Sequence, residues 1–371
     1  MHICFVVEGY PTTRDPFQTF VRNYISEISR QGVKCSVIAP QSITRALKHK
    51  LPLRPRHWQD QIEENCIVDI YQEWYFSFSN IVSSDELFIR AAQKSISRIT
   101  EPIDIIFGHF WHMGYVGARI IDDIPIVVAC GESEISICKK YKSDQIEPFI
   151  NRVAGVVYVS TKSYQEAMAL GLQRDFPYII APNGFDSRSF CQKAKAICRE
   201  KLGWSQEKYI IIFVGSFNER KGSQRVAQAI TNSSEQIYSC FIGAGDKTPE
   251  CRNILFRGKV ANDLVADYLS AADVFVLPTT NEGCCNAIIE AMACGLPIIS
   301  SKDSFNDDIL TEANSIRINP LSVDEIQAAI EKLSDISLRE KMSEHSLSIV
   351  QGLTIEKRAE RIIDFLLGII S

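Results

Sequence analysis

The sequence predicts an α/β protein that folds as two domains with parallel sheets. Its 371 residues are enough for two domains of the usual size, about 100–200 residues each. Short apolar runs alternate with amphipathic segments along the chain, which is the pattern of strands joined by crossover helices. The clearest instance is the stretch 273–301, where a strand, a loop, a helix and a second strand follow one another.

Two carboxylates distinguish this stretch. Residues 274–277 form an apolar strand, and residues 287–294 form a helix that is apolar on nearly all sides. Glu290 interrupts this helix, and an ionised carboxylate on a buried helix is costly unless something pairs with it. Glu282 lies eight residues earlier, in the loop after the strand. A bound polar ligand is therefore a natural explanation for Glu290.

The loop between strand and helix predicts a phosphate site. In open α/β sheets, ligands bind beyond the carboxyl ends of the strands, where a helix N-terminus offers unpaired N–H groups. Residues 282–286 occupy this position before the helix. We expect a phosphorylated ligand with hydroxyl groups, in which one carboxylate binds a sugar and the other a ribose diol.

The same stretch resembles the Glu-x7-Glu signature of retaining, nucleotide-sugar-dependent glycosyltransferases of the GT-B fold, the group 1 or family 4-like glycosyltransferases. The resemblance rests on both glutamates and on the flanking segments 271–278 and 290–297. It implies two Rossmann-like domains that face each other across a cleft: an acceptor-binding domain (1–177), a nucleotide-sugar-binding domain (178–353) and a helix (354–371) that returns to the first domain.

The resemblance also implies the reaction. A hexosyl unit passes from a nucleotide-diphosphate sugar, UDP- or GDP-linked, to an acceptor hydroxyl with retention of configuration. The acceptor is a saccharide or lipid-linked saccharide, as in the synthesis of cell-envelope polysaccharides or glycolipids. Neither a metal nor a cofactor is expected, because side chains and a helix dipole neutralise the leaving diphosphate.

Composition limits the other partners. Forty basic and 45 acidic residues give a formal charge of −5, which does not favour nucleic acid. The 12 cysteines lack zinc-type spacing and predict reduced thiols rather than a disulfide framework. No apolar run approaches the roughly 20 residues of a membrane span. A cytoplasmic protein is expected, at most peripheral at the inner face of the membrane.

The first half begins with a predicted strand over 3–7 and a helix over 20–30. In the resembling family a Gly-Gly loop follows the first strand, whereas residues 12–18 contain no glycine. Asp15 in this loop is a candidate on the acceptor side. The alternative for Asp15 is an ordinary surface turn.

Two later strand ends supply the other acceptor-side candidates. His109 follows a predicted strand over 103–107, and Glu132 follows one over 124–129. The resemblance implies a histidine near the reacting sugar at the second of these ends, where Cys130 stands instead. His109 is therefore the candidate catalytic histidine, Glu132 is a second candidate for that role, and a reaction that needs no group in that role is the third alternative. A hydrogen-bonded structural imidazole is the alternative for His109.

Residues 41–59, here called the basic segment, contain no acidic residue. Aromatic residues follow at Trp58 and over 74–78. One interpretation is a solvated connection beside ordinary core aromatics. The other is a basic face that contacts an anionic membrane or a lipid-diphosphate acceptor. The basic residues are Arg45, Lys48, Lys50, Arg54 and Arg56.

In the second half the resemblance assigns the diphosphate site. The family uses an arginine after the first strand and a later lysine; here Ser216 occupies the arginine position and Lys221 is kept. Arg220 could supply the missing charge. Such cations stabilise the negative charge that develops on the leaving diphosphate. The predicted catalytic residues are Glu282, Lys221 and His109. The predicted donor site is Ser216, Arg220, Lys221, Gly243, Val260, Glu282, Gly283, Cys284, Cys285, Asn286 and Glu290, with the backbone near Gly243 and Val260 on the nucleobase.

The sequence allows one further structural interpretation and two alternative functions. Asn183 and Gly184 are interpreted as a turn at the entry to the second domain, without a chemical role. A sugar-nucleotide epimerase of the same fold is one alternative function, although it needs its own acid and base on the first domain. A non-catalytic nucleotide-sugar-binding protein is the other, because Cys130 and Ser216 depart from the family pattern.

Overall fold

The computed structural model describes residues 1–12, 15, 18–64, 66–77 and 83–371. These residues form two compact units. Unit 1 consists of Met1–Val159, Ser163–Ala181 and Arg358–Ser371, and unit 2 of Ser160–Lys162 and Pro182–Lys357. Several positions of the predicted acceptor loop and aromatic run lie outside the described residues: Thr13, Arg14, Pro16, Phe17 and Phe78.

Strands and helices alternate through both units. The strands are β1 (His2–Val6), β2 (Lys34–Ile38), β3 (Gln41–Ser42), β4 (His57–Glu63), β5 (Cys66–Tyr71), β6 (Trp74–Tyr75), β7 (Ile105–His109), β8 (Ile126–Cys130), β9 (Val153–Tyr158), β10 (Tyr178–Ile180), β11 (Tyr209–Val214), β12 (Ile237–Ile242), β13 (Ile254–Gly258), β14 (Val274–Leu277), β15 (Ile298–Ser301) and β16 (Ser315–Ile318). The helices are α1 (Thr19–Arg30), α2 (Ile43–Lys48), α3 (Ser83–Ile96), α4 (Trp111–Ile120), α5 (Ile137–Lys140), α6 (Ser143–Ile150), α7 (Thr161–Ala169), α8 (Lys195–Leu202), α9 (Ser223–Asn232), α10 (Val265–Ala271), α11 (Asn286–Ala293), α12 (Val323–Lys332), α13 (Ile336–Val350) and α14 (Ile355–Ile370). No helix in the described part of the chain is both long and apolar enough to cross a bilayer.

Unit 1 is built on an eight-stranded sheet with the order β10-β9-β8-β7-β1-β2-β5-β4. Neighbouring strands are parallel, except that β4 pairs antiparallel with β5. Side chains of β1 alternate between two apolar clusters: Ile3 and Phe5 belong to one, and Cys4 and Val6 to the other. Strands that are apolar on both faces are typical of parallel sheets buried under helices.

Helix α4, which the sequence analysis does not predict, packs tightly on this sheet through two glycines. A Cβ atom at Gly114 would lie 2.7 Å from Val128 Cγ2, and one at Gly117 would lie 2.7 Å from Ile106 Cγ2. Glycine lowers helix propensity by about 1 kcal/mol relative to alanine. The residues that permit the close contact therefore also weaken the helical pattern in the sequence.

Helix α14 completes the core of unit 1. Ile362 and Leu366 are fully buried in one of its two apolar clusters. Gly155 on β9 permits the approach, since a Cβ atom there would lie 2.7 Å from Ile369 Cδ1. The helix predicted over 356–368 thus supplies part of the first unit's interior.

Unit 2 is built on six parallel strands with the order β13-β12-β11-β14-β15-β16. The stretch 273–301 lies in the middle of this sheet, because β14 pairs with β11 on one side and β15 on the other. The bounds of β14 equal the predicted 274–277, and α11 begins one residue earlier than predicted. The predicted α/β class with parallel sheets is confirmed.

Most residues of the basic segment are exposed, as the interpretation of a solvated connection predicts, but the segment is not without regular structure. It contains β3, α2 and the beginning of β4. Three of its basic residues pair with carboxylates: Arg45 and Arg54 with Asp15, and Arg56 with Glu73. The acidic partners come from distant parts of the sequence, so the segment's own composition does not reveal the pairs.

Candidate functional site

A cluster of one carboxylate and two cations lies where β11 and β14 end in unit 2. Glu282 Oε1 accepts a hydrogen bond from Arg220 Nη1 at 2.6 Å and lies 2.6 Å from Lys221 Nζ. Thr279 Oγ1 donates to the same oxygen at 2.8 Å. The structure therefore brings three predicted site residues together around one oxygen atom.

Local backbone features hold the two cations in place. The Lys221 N–H donates to Asn218 Oδ1 at 2.9 Å, and Arg220 Nη1 also donates to the carbonyl of Asn281 at 2.5 Å. Gly222 has a φ of 76°, a left-handed conformation that glycine adopts without strain, and α9 begins at the next residue. The turn thus aims Lys221 at the loop after β14.

Glu290 lies on α11 among buried apolar neighbours. Burial raises the pKa of its carboxyl group to about 7, because a low-dielectric surrounding disfavours the charged form. Among the described residues it has no hydrogen-bond or ion-pair partner. A half-buried carboxylate without a partner is costly, and hydroxyl groups of a ligand would satisfy it.

The N-terminus of α11 is formed by the predicted loop residues. Cys285, the residue before α11, is buried, and its Sγ lies 3.9 Å from Lys221 Nζ. Asn183 Nδ2 donates to Asn286 Oδ1 at 2.8 Å and to the carbonyl of Cys284 at 3.3 Å. Asn183, interpreted from sequence as a plain turn residue, therefore fixes the loop that begins α11.

Three residues outside the sequence-predicted set support this cluster: Asn183, Asn218 and Thr279. Each makes a hydrogen bond to a predicted site residue, although none of the three is part of the recognised motif: the partners are Asn286, Lys221 and Glu282, respectively. Thr279 is the easiest of the three to predict from the sequence, because it lies between β14 and Glu282.

The nucleobase candidates lie at neighbouring strand ends. Gly243 follows β12 and Val260 follows β13, and these two strands are paired up to Ile242 and Gly258, so the loops that follow them leave the sheet side by side. A Cβ atom at Gly243 would lie 1.9 Å from the carbonyl oxygen of Gly215, which requires glycine at that position. Ser216 is exposed and Val260 is half-buried against the core.

His109 ends β7 in unit 1, surrounded by aromatic rings. The ring centroids of Phe20 and Phe110 lie 5.5 and 4.2 Å from that of the imidazole. Burial, with a smaller contribution from the nearby Arg358, lowers the pKa of His109 to about 3. Its Nε2 is buried without a hydrogen-bond partner among the described residues. The imidazole is therefore neutral at pH 7 and a weak base.

Glu132 caps a helix. Its Oε1 accepts a hydrogen bond from the N–H of Trp111, the first residue of α4, at 2.8 Å. Burial raises the pKa of Glu132 to about 7, and Oε2 is buried without a partner in the described part of the chain. Cys130, at the position where the family pattern has a histidine, is completely buried at the end of β8.

Asp15 is buried, so the surface position given as its alternative is wrong. It is 8% exposed, and both of its carboxylate oxygens accept hydrogen bonds from Arg45, at 2.7 and 3.1 Å. Its backbone N–H donates to the carbonyl of Thr12 at 3.1 Å, as in a turn, while its side chain pairs with arginines 30 or more residues away. Asp15, His109 and Glu132 belong to unit 1, whereas all donor candidates belong to unit 2.

No group of three or more His, Cys, Asp or Glu side chains that could hold a metal ion occurs among the described residues. The cations of the cluster around Glu282 are instead the groups available for neutralising an anionic ligand.

Comparison with known proteins gives a family for the second half of the chain. Residues 208–335 match the family model of the glycosyl transferases group 1. A Bacillus subtilis protein named as a teichuronic acid biosynthesis glycosyltransferase, TuaC, is 24% identical over 346 residues, which cover 89% of this chain and 88% of that protein.

Two solved structures resemble the chain over nearly its whole length. Sucrose-phosphate synthase from Thermosynechococcus elongatus has a TM-score of 0.77 at 16% identity, covering 99% of this chain and 98% of that one. Anabaena HepE in complex with UDP has a TM-score of 0.73 at 15% identity, covering 99% and 100%. This likeness shows the fold, the GT-B architecture of two Rossmann-like domains, and with the family match it confirms the predicted resemblance to group 1 glycosyltransferases of that fold.

Proposed function

We propose that this chain, a GT-B protein whose residues 208–335 form a group 1 glycosyltransferase domain, transfers a hexosyl unit from a nucleoside diphosphate sugar to an acceptor hydroxyl with retention of configuration. The observation that carries the proposal is the convergence of Arg220 and Lys221 on Glu282 at the strand ends of unit 2. Such a cluster offers both cations for a diphosphate and a carboxylate for sugar hydroxyls.

Lys221 and Arg220 bind the diphosphate in this proposal. The family pattern has a diphosphate-binding arginine at the position of Ser216. Arg220 binds the diphosphate in its place. Both cations are already held in position by Glu282, so little reorganisation is needed when negative charge develops on the leaving group. Without the ligand, Glu282 limits the repulsion between the two cations.

The two glutamates bind the rest of the donor. Once the diphosphate shares the cations, Glu282 accepts hydrogen bonds from the hydroxyls of the transferred sugar. Glu290 accepts from the ribose diol, which satisfies the carboxylate that has no partner among the described residues. Charge-assisted hydrogen bonds of this kind contribute about 1.5–3 kcal/mol each.

The chemistry follows from these placements. The bond between the anomeric carbon and the diphosphate oxygen breaks while the acceptor oxygen bonds to the same face of that carbon. The acceptor proton passes to the leaving diphosphate. His109, neutral and with a pKa near 3, contributes as a hydrogen-bonding group rather than as the base.

The nature of the substrates is supported by relatives. TuaC is named for teichuronic acid biosynthesis, and HepE binds UDP. We propose a UDP-linked donor, a saccharide or lipid-linked saccharide acceptor that binds to unit 1, and a role in cell-envelope polysaccharide synthesis. Peripheral contact with an anionic membrane is proposed through the exposed Lys48 and Lys50, beside Leu47, which is 75% exposed.

The test is incubation of the protein with UDP- and GDP-sugars in the presence of saccharide acceptors. Release of the nucleoside diphosphate together with an α-linked product from an α-linked donor supports retaining transfer. Conversion of the donor to an epimer, without an acceptor, indicates the epimerase alternative. Tight binding of the nucleotide sugar without turnover indicates a non-catalytic binding protein.

A further inference from the structure

We infer that the acceptor presents an uncharged sugar and that this sugar binds in a cavity of unit 1, at the ion pair of Asp85 and Lys140. This inference rests on the proposed function, because it names the class of acceptor for the same reaction. The cavity has a volume of about 290 Å³, and its lining residues all belong to unit 1. Gly9 and Pro40 line it just after β1 and β2, at the edge of the sheet where α/β proteins bind ligands.

Acidic and basic side chains are equal in number in the lining of this cavity. Three carboxylates and three cations contribute: Glu8, Asp15, Asp85, Arg45, Arg54 and Lys140. The cations pair with carboxylates of the same wall, Arg45 and Arg54 with Asp15, and Lys140 with Asp85. An anionic ligand would have to displace one of these carboxylates from its cation. A hydroxyl group avoids that cost, because it can donate to the carboxylate and accept from the cation of a pair that stays intact.

The pair of Asp85 and Lys140 belongs to a hydrogen-bonded chain with a defined direction. His112 Nε2 lies 3.3 Å from Lys140 Nζ, which can only donate, so Nε2 accepts and Nδ1 carries the proton. Nδ1 lies 3.3 Å from the hydroxyl oxygen of Tyr141, which in turn donates to Asp85 Oδ2 at 2.9 Å. Burial, with a smaller contribution from Lys140, lowers the pKa of His112 to about 4, so the ring is neutral at pH 7. His112 and Tyr141 therefore orient the pair without adding a charge to the wall.

This ion pair can bind a ligand without separating. Lys140 Nζ lies 2.8 Å from each carboxylate oxygen of Asp85, and the side chains of Lys140 and Asp85 are 45% and 20% exposed. An ionised carboxylate offers about four acceptor positions, and an ammonium group offers several donors. The contacts within the chain do not use all of them. Neighbouring hydroxyl groups of one sugar can therefore bind Asp85 and Lys140 together.

Aromatic residues complete a lining that suits a pyranose ring. Tyr10, Tyr75 and Phe88 line the same cavity, and the rings of Tyr75 and Phe88 contact each other edge-on with centroids 5.3 Å apart. A sugar carries hydroxyl groups at its rim and C–H groups on its faces. Aromatic rings can pack against these C–H groups while polar side chains bind the hydroxyls. A sugar without an ionised substituent matches both the paired charges and the rings.

The experiment is saturation-transfer NMR with single sugars as probes. The neutral probes are glucose, galactose, mannose and N-acetylglucosamine, and the anionic probes are glucuronate and glucose 6-phosphate. UDP, or GDP if only that nucleotide binds, is present at saturation, so that the diphosphate-binding cations of unit 2 are occupied. We expect at least one neutral probe to bind wild type, with an affinity at least fivefold higher than that of either anionic probe.

Two variants with opposite expected effects on the anionic probes test the assignment to this ion pair. Asp85→Asn should weaken binding of the neutral probe at least fivefold and strengthen binding of the anionic probes, because Lys140 loses its carboxylate. Lys140→Gln, which removes a half-exposed side chain, should weaken binding of both classes. A merely structural role of the pair does not predict effects of opposite sign. Glu86→Gln is the matched control, because this neighbour of Asp85 on α3 pairs with Arg119 instead, and it should leave both affinities unchanged.

The outcomes distinguish two failures. A protein that binds neither UDP nor GDP overturns the proposed function, and this inference with it. If the nucleotide binds but none of the four neutral sugars does, or if an anionic probe binds as tightly as the best neutral one, only the uncharged acceptor is overturned. Unchanged binding of the neutral probe to Asp85→Asn likewise overturns its assignment to this cavity.

Discussion

Lys221 Nζ lies 2.6 Å from Glu282 Oε1, so the lysine predicted to contact the donor diphosphate is paired with the glutamate predicted to contact the donor sugar. The Lys221 side chain is 13% exposed, whereas that of Arg220, on the same oxygen, is 41% exposed. Because charges interact more strongly when water is excluded, the two cations should not contribute equally.

Lys221→Ala should lower turnover at least about 100-fold, the scale for losing one transition-state donor. Arg220→Ala should lower it measurably but less, because that side chain is more exposed to solvent. The measurement is the steady-state rate of nucleoside diphosphate release, with the exposed Lys341→Ala on α13 as the control. A neutral Arg220→Ala beside a severe Lys221→Ala would disprove the compensation for Ser216 while leaving the site in place.

Glu290→Gln should stabilise the ligand-free protein at pH 8 and weaken donor binding. The folded-state pKa of about 7 lies above the ordinary 4.5, so the folded protein loses stability as pH rises from about 4.5 to about 7. The difference of 2.5 units corresponds to at most about 3 kcal/mol at pH 8. The neutral amide avoids this cost, but binds ribose hydroxyls less well by about 1–3 kcal/mol.

Urea unfolding at pH 5 and pH 8, with UDP titration at pH 8, measures both effects. Wild type and Glu290→Gln should differ little in stability at pH 5, where Glu290 is protonated. Glu132→Gln is the matched comparison, because burial also raises the pKa of that carboxyl to about 7. It should gain stability at pH 8 without a change in UDP affinity. If Glu290→Gln leaves the free energy of unfolding at pH 8 unchanged, ionisation of the Glu290 carboxyl group does not destabilise the folded protein.

Asn183→Ala and Asn286→Ala should weaken donor binding through one shared hydrogen bond. Asn183 Nδ2 donates to Asn286 Oδ1 at 2.8 Å, and both residues hold the loop that begins α11. The effects of two substitutions that remove the same contact are not additive, and coupling energies of about 0.5–3 kcal/mol are typical. UDP affinities of wild type, both single variants and the double variant form the cycle. Simple additivity would mean that the two asparagines act independently.

Binding to anionic vesicles should be weak and should depend on Lys48 and Lys50. Three of the five basic residues in the basic segment pair with carboxylates, and each remaining lysine contributes about 1 kcal/mol near an anionic surface. Co-sedimentation with anionic vesicles at low salt should therefore be detectable and should disappear in the Lys48→Gln, Lys50→Gln double variant. Equal pelleting of both proteins would remove the membrane contact from the proposal.

Parts of the fold were predictable because single segments carried the signal. The strand over 274–277 is an uninterrupted apolar run closed by a proline, and its bounds are the observed ones. The sequence did not predict β4, because this strand lies at the sheet edge and most of its residues are polar. Only Trp58 and Ile62 of β4 pack against the core. Edge strands of this kind have little apolar periodicity to detect.

The site was predictable to the level of its motif and no further. The spacing of Glu282 and Glu290 and the sequence position of Lys221 sufficed to name them. The ion pair of Asp15 with Arg45 joins residues 30 positions apart, so it exists only once β1 and the basic segment are folded. Likewise the lowered pKa of His109 comes from burial among rings that the sequence does not show to be neighbours.

Unit 1 includes residues 358–371, which are synthesised after the rest of both units, and this affects how the chain can fold during its synthesis. Ile362 and Leu366 of α14 are fully buried in its interior, yet they are made after all of unit 2. Domains generally fold as units while the chain emerges from the ribosome, N-terminal parts first. Unit 2 can therefore reach its folded state before unit 1, whose sheet keeps part of one apolar face uncovered until residues 358–371 arrive. During that interval, chaperones would find their binding surface on the first half of the chain.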